Sequence, residues 1–218
     1  MLTATRLASM IHGQSTGKIF AKQEWNAKVN DYFRSNNPEK LNNNFTDKID
    51  TTPINSLNIK KIYILTTGNT ASASELVING LKPYIEVVQI GGTTVGKNVG
   101  SITLYDSPTF GKENINPNHR YAMQPLVLRI VNAAGFGDYT SGLLPDIAIN
   151  ETPLNLGILG DTEEPFLKTA INKITGSTAR FSAPSNQKAA IFFKDTKAMN
   201  GQNQMFIEKA PEGLQKAL

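Results

Sequence analysis

Apolar residues at helical spacing open the chain. Leu2, Leu7 and Ile11 lie on one helical face, which predicts a short helix over 2–11. The helix starts abruptly, with no capping segment or strand before it. The next part, 18–60, is mostly polar and rich in asparagine, which favours an irregular excursion with surface turns rather than a core element.

A strand, a helix and a second strand follow, and they have the clearest pattern in the chain. Lys61–Thr66 is a short run rich in β-branched and aromatic residues, which is typical of a buried strand. Residues 71–82 place apolar side chains on one helical face, and Ile85–Ile90 has the pattern of another buried strand. This order is a βαβ unit, so the sequence predicts an α/β fold with a parallel strand pair.

Weaker patterns continue the fold toward the C-terminus. Three more strands are predicted, over 101–105, 121–131 and 145–149. The run Asp161–Glu164 is a capping-box signature followed by proline, and it predicts a helix through about Ile174 that Gly176 closes. From there the chain is polar again, so 177–218 is predicted to be a weakly structured C-terminal extension.

Composition narrows the classes of function. The chain has 218 residues, 39% of them hydrophobic, with a net charge of +4, which suits one domain with a real core and lacks the basic stripe of a nucleic-acid-binding protein. There is no cysteine and there are two histidines, so neither a metal centre nor another cofactor is expected. His12 and His119 have polar neighbours and are expected to face solvent. No apolar stretch could span a membrane, and no targeting signal is evident.

A serine lies between the first strand and the helix of the βαβ unit. The segment Gly68–Glu75 places Ser72 at the helix N-terminus, where free N–H groups and the helix dipole favour developing negative charge and therefore suit an acyl-transfer nucleophile. A structural alternative stays open, because Ser72 and Glu75 also form a capping box.

A lysine follows the second strand of the same unit. Lys97 lies in the Gly-flanked loop 93–100. Loops that leave parallel strands at their carboxyl ends open on one edge of the sheet, so Ser72 and Lys97 are expected to meet. A buried lysine there would act as a neutral amine base, and a serine with a lysine is a known variant of the serine–histidine pair.

These residues carry a resemblance to a known family. The run Thr70–Glu75 (TASASE), the TVGK sequence that places Lys97 25 positions after Ser72, and Gly142–Ile147 (GLLPDI) resemble the C-terminal processing (tail-specific) peptidases. Members are serine peptidases with a ClpP/crotonase-like β-β-α core. The motifs lie in the family's order within 60–150, and the resemblance implies a hydrolase that cleaves polypeptides.

The resemblance also implies roles for individual residues. Ser72 is the implied nucleophile, the Ala73 amide one oxyanion donor, and Lys97 the general base. Glu75 is implied to orient the pair, as in some members. Other members use a glutamine four residues after the lysine, but Ser101 stands at that position, which argues against a glutamine-assisted triad.

A second serine, Ser74, is the rival nucleophile. It ranks behind Ser72 because the family's spacing to the lysine selects the first serine of the pair.

The resemblance places residue 1 inside a family domain. In the family, a strand with the second oxyanion amide precedes a helix like 2–11, and a PDZ domain is often present. Residues 1–176 are therefore expected to be the C-terminal portion of a catalytic domain, N-terminally truncated. An expected location in the cell envelope or periplasm follows from the resemblance. The alternative is a catalytically incomplete remnant that binds peptides or serves in assembly.

A remote alternative is a P-loop-like nucleotide binder. Gly91, Gly96 and Lys97 nearly match the phosphate-binding motif. However, Asn98 stands where magnesium needs serine or threonine, and the following residues have a strand pattern rather than that of a helix.

Overall fold

The computed structural model describes residues 1–152 and 155–177. The α-helices in these residues are α1 (Leu2–Ile11), α2 (Ala27–Asn36), α3 (Ala73–Leu81) and α4 (Pro165–Thr175). The strands are β1 (Ile19–Trp25), β2 (Asn42–Asn44), β3 (Lys48–Ile49), β4 (Thr52–Pro53), β5 (Lys61–Thr66), β6 (Glu86–Gly91), β7 (Val99–Ser101), β8 (Leu104–Tyr105), β9 (Ala122–Met123), β10 (Leu126–Asn132) and β11 (Ile147–Ala148). The predicted extension, 177–218, lies outside the described residues apart from Ser177.

A parallel sheet forms the centre of the βαβ unit. Its strand order is β11-β6-β5, and β6 is parallel to both neighbours. The helix α3 makes the crossover between β5 and β6, as parallel neighbours require. The predicted α/β class and its parallel strand pair are therefore confirmed, and β11 adds a third parallel strand.

A second, antiparallel sheet was not foreseen. Its order is β2-β1-β10-β7, with β1 and β10 paired antiparallel from Ala21 opposite Asn132 to Trp25 opposite Leu128. The expectation of an irregular excursion over 18–60 is wrong there, because β1 is an inner strand. Only Phe20 and Ala21 of β1 are buried, so its remaining half-exposed residues hide the strand pattern.

Short strands and turns divide the region after Lys97. The segments predicted as single strands over 101–105 and 121–131 are each divided in two. The inner parts, β7 and β10, join the antiparallel sheet, whereas β8 and β9 form a separate two-stranded hairpin. The C-terminal helix α4 ends at Gly176 with φ 72°, as predicted, but Glu164 caps its first turn.

Helices cover both faces of the parallel sheet. On one face, α1 and α3 pack with β1 around a core that includes Ala8, Phe20, Ile78 and Leu81, all with no exposed surface. On the other face Phe166 of α4 packs in a smaller cluster with Ile90, Ile149 and Ala170. Burial of each large apolar side chain contributes about 1.5–3 kcal/mol to the free energy of unfolding. The two clusters therefore stabilise the packing of the helices on the sheet. None of the described helices is long and apolar enough to cross a membrane.

Candidate active site

Two loops meet at the carboxyl edge of the parallel sheet. We call residues 67–72 the serine loop and residues 92–98 the lysine loop. They leave β5 and β6, which pair in register up to their last residues. The Val95 N–H of the lysine loop donates to the Thr70 carbonyl of the serine loop over 2.9 Å. The expectation that the two loops share one edge of the sheet is therefore confirmed.

Ser72 has an unusual backbone conformation. It caps the N-terminus of α3 with φ 56° and ψ −111°, a conformation that costs a residue with a Cβ about 1–3 kcal/mol. Sharp strand-to-helix turns of this kind expose the nucleophilic serine of α/β-hydrolases. Ser72 is exposed. The amide of Ala73 is at the first position of α3, where helix geometry leaves N–H groups without an intrahelical acceptor.

The buried carboxylate of Glu75 joins the two loops. Glu75 has no exposed surface. Its Oε2 accepts the Ser72 N–H at 2.7 Å and the Lys97 N–H at 2.9 Å. Its Oε1 accepts the Gly96 N–H at 2.6 Å and the hydroxyl of Thr94 at 2.6 Å. The first contact is the glutamate half of the predicted capping box, and the other three fix the lysine loop to the same carboxylate.

Lys97 differs from the expectation of a buried base. Its side chain is exposed, and among the described residues its amine belongs to no ion pair. The contact with Glu75 is made by the backbone of Lys97 and not by the amine. The burial on which the argument for a neutral amine base depended is therefore not found at Lys97. The lysine loop binds Glu75 through its backbone amides, and the Lys97 side chain remains exposed.

Ser72 and Lys97 line one pocket of about 250 Å³. Ala73 and Ser101 line the same pocket. The rest of its wall is largely apolar and is formed by Met1, Leu76, Val99, Gly100, Leu128, Ile130 and Tyr139. The rival serine, Ser74, instead lines a separate apolar groove of about 640 Å³ between α1 and β5. The structure therefore brings Ser72, and not Ser74, onto the pocket of Lys97.

The segment Gly142–Ile147 packs against β6 and the lysine loop. The Leu143 N–H donates to the Thr94 hydroxyl oxygen at 2.7 Å. The Asp146 carboxylate accepts the Gln89 N–H at 2.7 Å, and the Asp146 N–H donates to the Gln89 carbonyl at 2.8 Å. The motif that carried the resemblance is thus one wall behind the lysine loop.

Two polar residues of the site escaped the sequence analysis. Thr94 is 5% exposed and bonds to both Glu75 and Leu143. Burial raises the pKa of the Tyr139 hydroxyl to about 12, and the negative charge of Glu75 acts in the same direction. Thr94 could have been found from the sequence, because it stands two positions before the Gly96-Lys97 pair. No local pattern marked Tyr139.

The two histidines lie away from the pocket. The expectation that His12 faces solvent is wrong, because the ring is buried beside Phe45 and Tyr84, and its Nε2 lies 3.1 Å from the Ser15 hydroxyl. His119 is half-buried, and its Nε2 lies 3.0 Å from the Asp106 carboxylate. Two hydrogen bonds lower the pKa of the Asp106 carboxyl: the one from Asn116 has the larger effect and the one from His119 the smaller.

The lysine loop leads into a strand. The residues after Lys97 form β7, which pairs with β10. A P-loop requires a helix at this point, because the helix N-terminus binds the phosphate. The structure therefore argues against the nucleotide-binding alternative.

Comparisons with known proteins agree with these features. The model of peptidase family S41 matches residues 7–122, just over half of the chain. A putative S41 protease from Bacteroides fragilis is 26% identical, with a TM-score of 0.61 over 79% of this chain. The match covers 41% of that protease, so this chain spans about two fifths of its length. No curated protein sequence matches the chain.

Two other solved structures are similar at lower scores. A photosystem II D1 C-terminal processing protease is 17% identical, with a TM-score of 0.46 over 75% of this chain and 33% of its own. A lipoprotein from Streptococcus agalactiae is 17% identical, with a TM-score of 0.40 over 75% of this chain and 47% of its own.

Proposed function

The chain belongs to peptidase family S41, and from this premise we propose that it is the Ser72/Lys97 part of a serine endopeptidase of the tail-specific processing type. The family is one of serine-type peptidases, and the mixed α/β fold agrees with a ClpP/crotonase-like core. One observation carries the proposal: the amides of Ser72 and Lys97 bind the same oxygen of Glu75, and both residues line one pocket.

The proposed mechanism starts from these positions. The Ser72 hydroxyl attacks a peptide carbonyl while the Lys97 amine takes its proton as the general base. The Ala73 N–H at the helix N-terminus donates to the oxyanion. The tetrahedral intermediate then loses the amine half of the substrate, which receives the proton from Lys97. A water molecule, deprotonated by the same amine, hydrolyses the acyl-enzyme and restores the Ser72 hydroxyl.

Substrates and location follow from the family. We expect polypeptides as substrates, bound with an apolar side chain against the pocket wall formed by Leu76, Val99 and Leu128. Location in the cell envelope or periplasm is the expectation of the resemblance. The mechanism described above uses no cofactor and no metal.

A second candidate function is a peptide-binding or assembly remnant of such a protease. The exposed Lys97 side chain favours it, because a catalytic amine must come within about 3 Å of the serine hydroxyl. The remnant would bind an unfolded peptide at the same pocket without cleaving it.

Substitutions of Ser72 and Lys97, with Ser74 as the control, test the proposal. In cleavage of a fluorescently labelled unfolded polypeptide such as casein, Ser72→Ala and Lys97→Met should each lower kcat/KM by about 1,000-fold or more, because the nucleophile or its base is lost. The matched control Ser74→Ala should stay within about threefold of the native chain. A fluorophosphonate probe should label the native chain at Ser72.

The opposite pattern has clear meanings. Full cleavage activity of Ser72→Ala would reject the assignment of Ser72 as the nucleophile. Loss of cleavage in Ser74→Ala alone would assign Ser74 as the nucleophile instead. A native chain that binds the peptide but neither cleaves it nor reacts with the probe would favour the remnant.

A further inference from the structure

Thr94 is a buried residue of the lysine loop that contacts both Glu75 and Leu143. It is 5% exposed, and its hydroxyl has one proton to donate and two lone pairs to accept. The oxygen accepts the Leu143 N–H at 2.7 Å. Because an N–H can only donate, the hydroxyl proton is free to go to Glu75 Oε1, which lies 2.6 Å away. The direction of both bonds is thereby determined.

The bond from Thr94 completes the partners of Glu75. Three backbone N–H groups, of Ser72, Gly96 and Lys97, already donate to this carboxylate. The two oxygens of a carboxylate offer about four acceptor positions, so these four donors can all be accepted at once. Since the two oxygens bind different amides, rotation of the carboxylate would break bonds to both loops. The hydroxyl of Thr94 is the one side-chain donor among these four contacts.

Backbone bonds hold Thr94 itself in place. Its N–H donates to the Leu143 carbonyl at 3.2 Å, so backbone and side chain both contact the same residue. The Leu143 carbonyl also accepts from the Gln89 side chain at 2.9 Å. The segment that contains Leu143 is therefore tied to strand β6, and Thr94 passes that constraint to Glu75.

We infer that Thr94 is a positioning residue: its hydroxyl orients the Glu75 carboxylate, which in turn sets the backbone of Ser72 and Lys97 in the geometry for peptide cleavage. The inference rests on the proposed function for its consequence in catalysis. Its structural part, the control of the Glu75 carboxylate and of the amides bound to it, stands apart from any activity.

The test compares two buried threonines. Thr94→Val keeps the shape of the side chain and removes the hydroxyl. Thr66→Val is the matched control: Thr66 is 1% exposed, its hydroxyl donates to the Gly92 carbonyl at 2.8 Å, and it accepts from Gln89 at 3.2 Å. Both variants lose a buried hydroxyl with two partners at the same sheet edge, but only Thr94 contacts Glu75.

Amide hydrogen exchange gives the first readout. In Thr94→Val, the amides of Ser72, Gly96 and Lys97 should exchange at least about tenfold faster than in the native chain. Thr66→Val should leave these three amides within about threefold of native. Thr94→Ser, which restores the hydroxyl, should return them to the native rate. Native exchange at these amides in Thr94→Val would overturn the inference.

Cleavage of the labelled polypeptide gives the second readout. Thr94→Val should lower kcat about tenfold or more while KM changes less than about twofold, since the effect is on the reacting geometry rather than on binding. Thr94→Ser should recover kcat, and Thr66→Val should retain it. An unchanged kcat in Thr94→Val would overturn the catalytic part.

The two readouts separate the two claims. If the native chain does not cleave the polypeptide, the proposed function fails, whereas the exchange experiment still decides whether Thr94 controls Glu75. If Thr94→Val does not fold, Thr94→Cys replaces it, because a thiol has similar volume and is only a weak donor. Exchange at the three amides that is faster in Thr94→Cys than in Thr94→Ser and the native chain supports the inference, and native exchange in Thr94→Cys rejects it.

Discussion

At the scale of single residues, the Glu75 carboxylate joins the serine loop and the lysine loop. The sequence left two interpretations of this residue, a capping residue of α3 or a residue that orients the catalytic pair. In the structure the Glu75 carboxylate caps α3 by accepting the Ser72 N–H. It also accepts the N–H groups of Lys97 and Gly96. Its contacts are with the backbone, so any influence on the reacting side chains is transmitted by loop geometry.

Replacement of Glu75 by glutamine tests this arrangement. In Glu75→Gln one oxygen becomes an NH₂ group, which faces two donors and cannot accept from either, so the free energy of unfolding should fall by roughly 2–4 kcal/mol. Cleavage of the labelled polypeptide should fall at least about tenfold under conditions where the variant is folded. Urea denaturation and the cleavage assay measure the two effects.

A matched control separates stability from the site. The Glu164 carboxylate accepts the Phe166 and Leu167 amides at the start of α4. Glu164→Gln should lose about 1 kcal/mol as a weakened helix cap and should cleave like the native chain. Native kcat in Glu75→Gln would contradict the proposed role.

At the scale of elements, the lysine loop is held between the serine loop and the segment after β10. Gly96 has φ +91°, and a Cβ there would overlap the carbonyl of Thr140. Gly142 has φ +93°, and a Cβ there would overlap the carbonyl of Thr94. Both backbones therefore approach more closely than any other residue type would allow, which keeps the Gly96 and Lys97 amides within reach of Glu75.

Substitution of a glycine tests the close approach. Gly96→Ala must move the loop away from Thr140, so we expect a loss of roughly 3 kcal/mol in the free energy of unfolding and at least about tenfold in cleavage. The control is Gly135→Ala, where φ is +84° but no atom lies within 4 Å of the added Cβ. Its free energy of unfolding should fall by about 1 kcal/mol, because the added Cβ strains only the positive φ, and cleavage should be unchanged. Equal effects of the two substitutions would show that the clash has no role.

At the scale of the whole molecule, two sheets share the pocket. Ser72 and Lys97 come from loops of the parallel sheet, whereas Val99, Leu128 and Ile130 of the pocket wall belong to the antiparallel sheet. Tyr139 lies between these parts with 4% of its surface exposed. Its state of ionisation is therefore coupled to folding of the entire unit.

Stability at alkaline pH tests the coupling. The pKa of Tyr139 is raised by burial from 10.0 to about 12 in the folded chain, so between these values the unfolded chain loses its proton first. The unfolded state binds fewer protons in this window, and stability falls as pH rises. From pH 8 to pH 11 the free energy of unfolding should fall by about 1 kcal/mol more in the native chain than in Tyr139→Phe.

The control for this effect is an exposed tyrosine. Tyr32 is 59% exposed, and Tyr32→Phe should follow the native pH dependence as measured by urea denaturation at each pH. If Tyr139→Phe loses stability to the same extent as the native chain, the Tyr139 hydroxyl is not the source of the alkaline loss.

Local sequence was enough to predict the βαβ unit and the edge where its loops meet. β5, α3 and β6 have strong periodicity because each buries one or both faces, and parallel connection then places their following loops together. The strand β1 was missed for the converse reason. Most of its side chains are half-exposed, so its place inside a sheet depends on pairing with β10, which is more than a hundred positions away.

The sequence by itself determined the candidate residues: the serine at a helix N-terminus, the lysine after the next strand and the glutamate in the first turn of α3. These are local matters of residue type and spacing. Only the tertiary structure decided how they are joined. The contacts of Thr94, Leu143 and Tyr139 and the exposure of Lys97 depend on the packing of distant segments, because hydrogen bonds and burial arise from folding in three dimensions and leave no period along the chain.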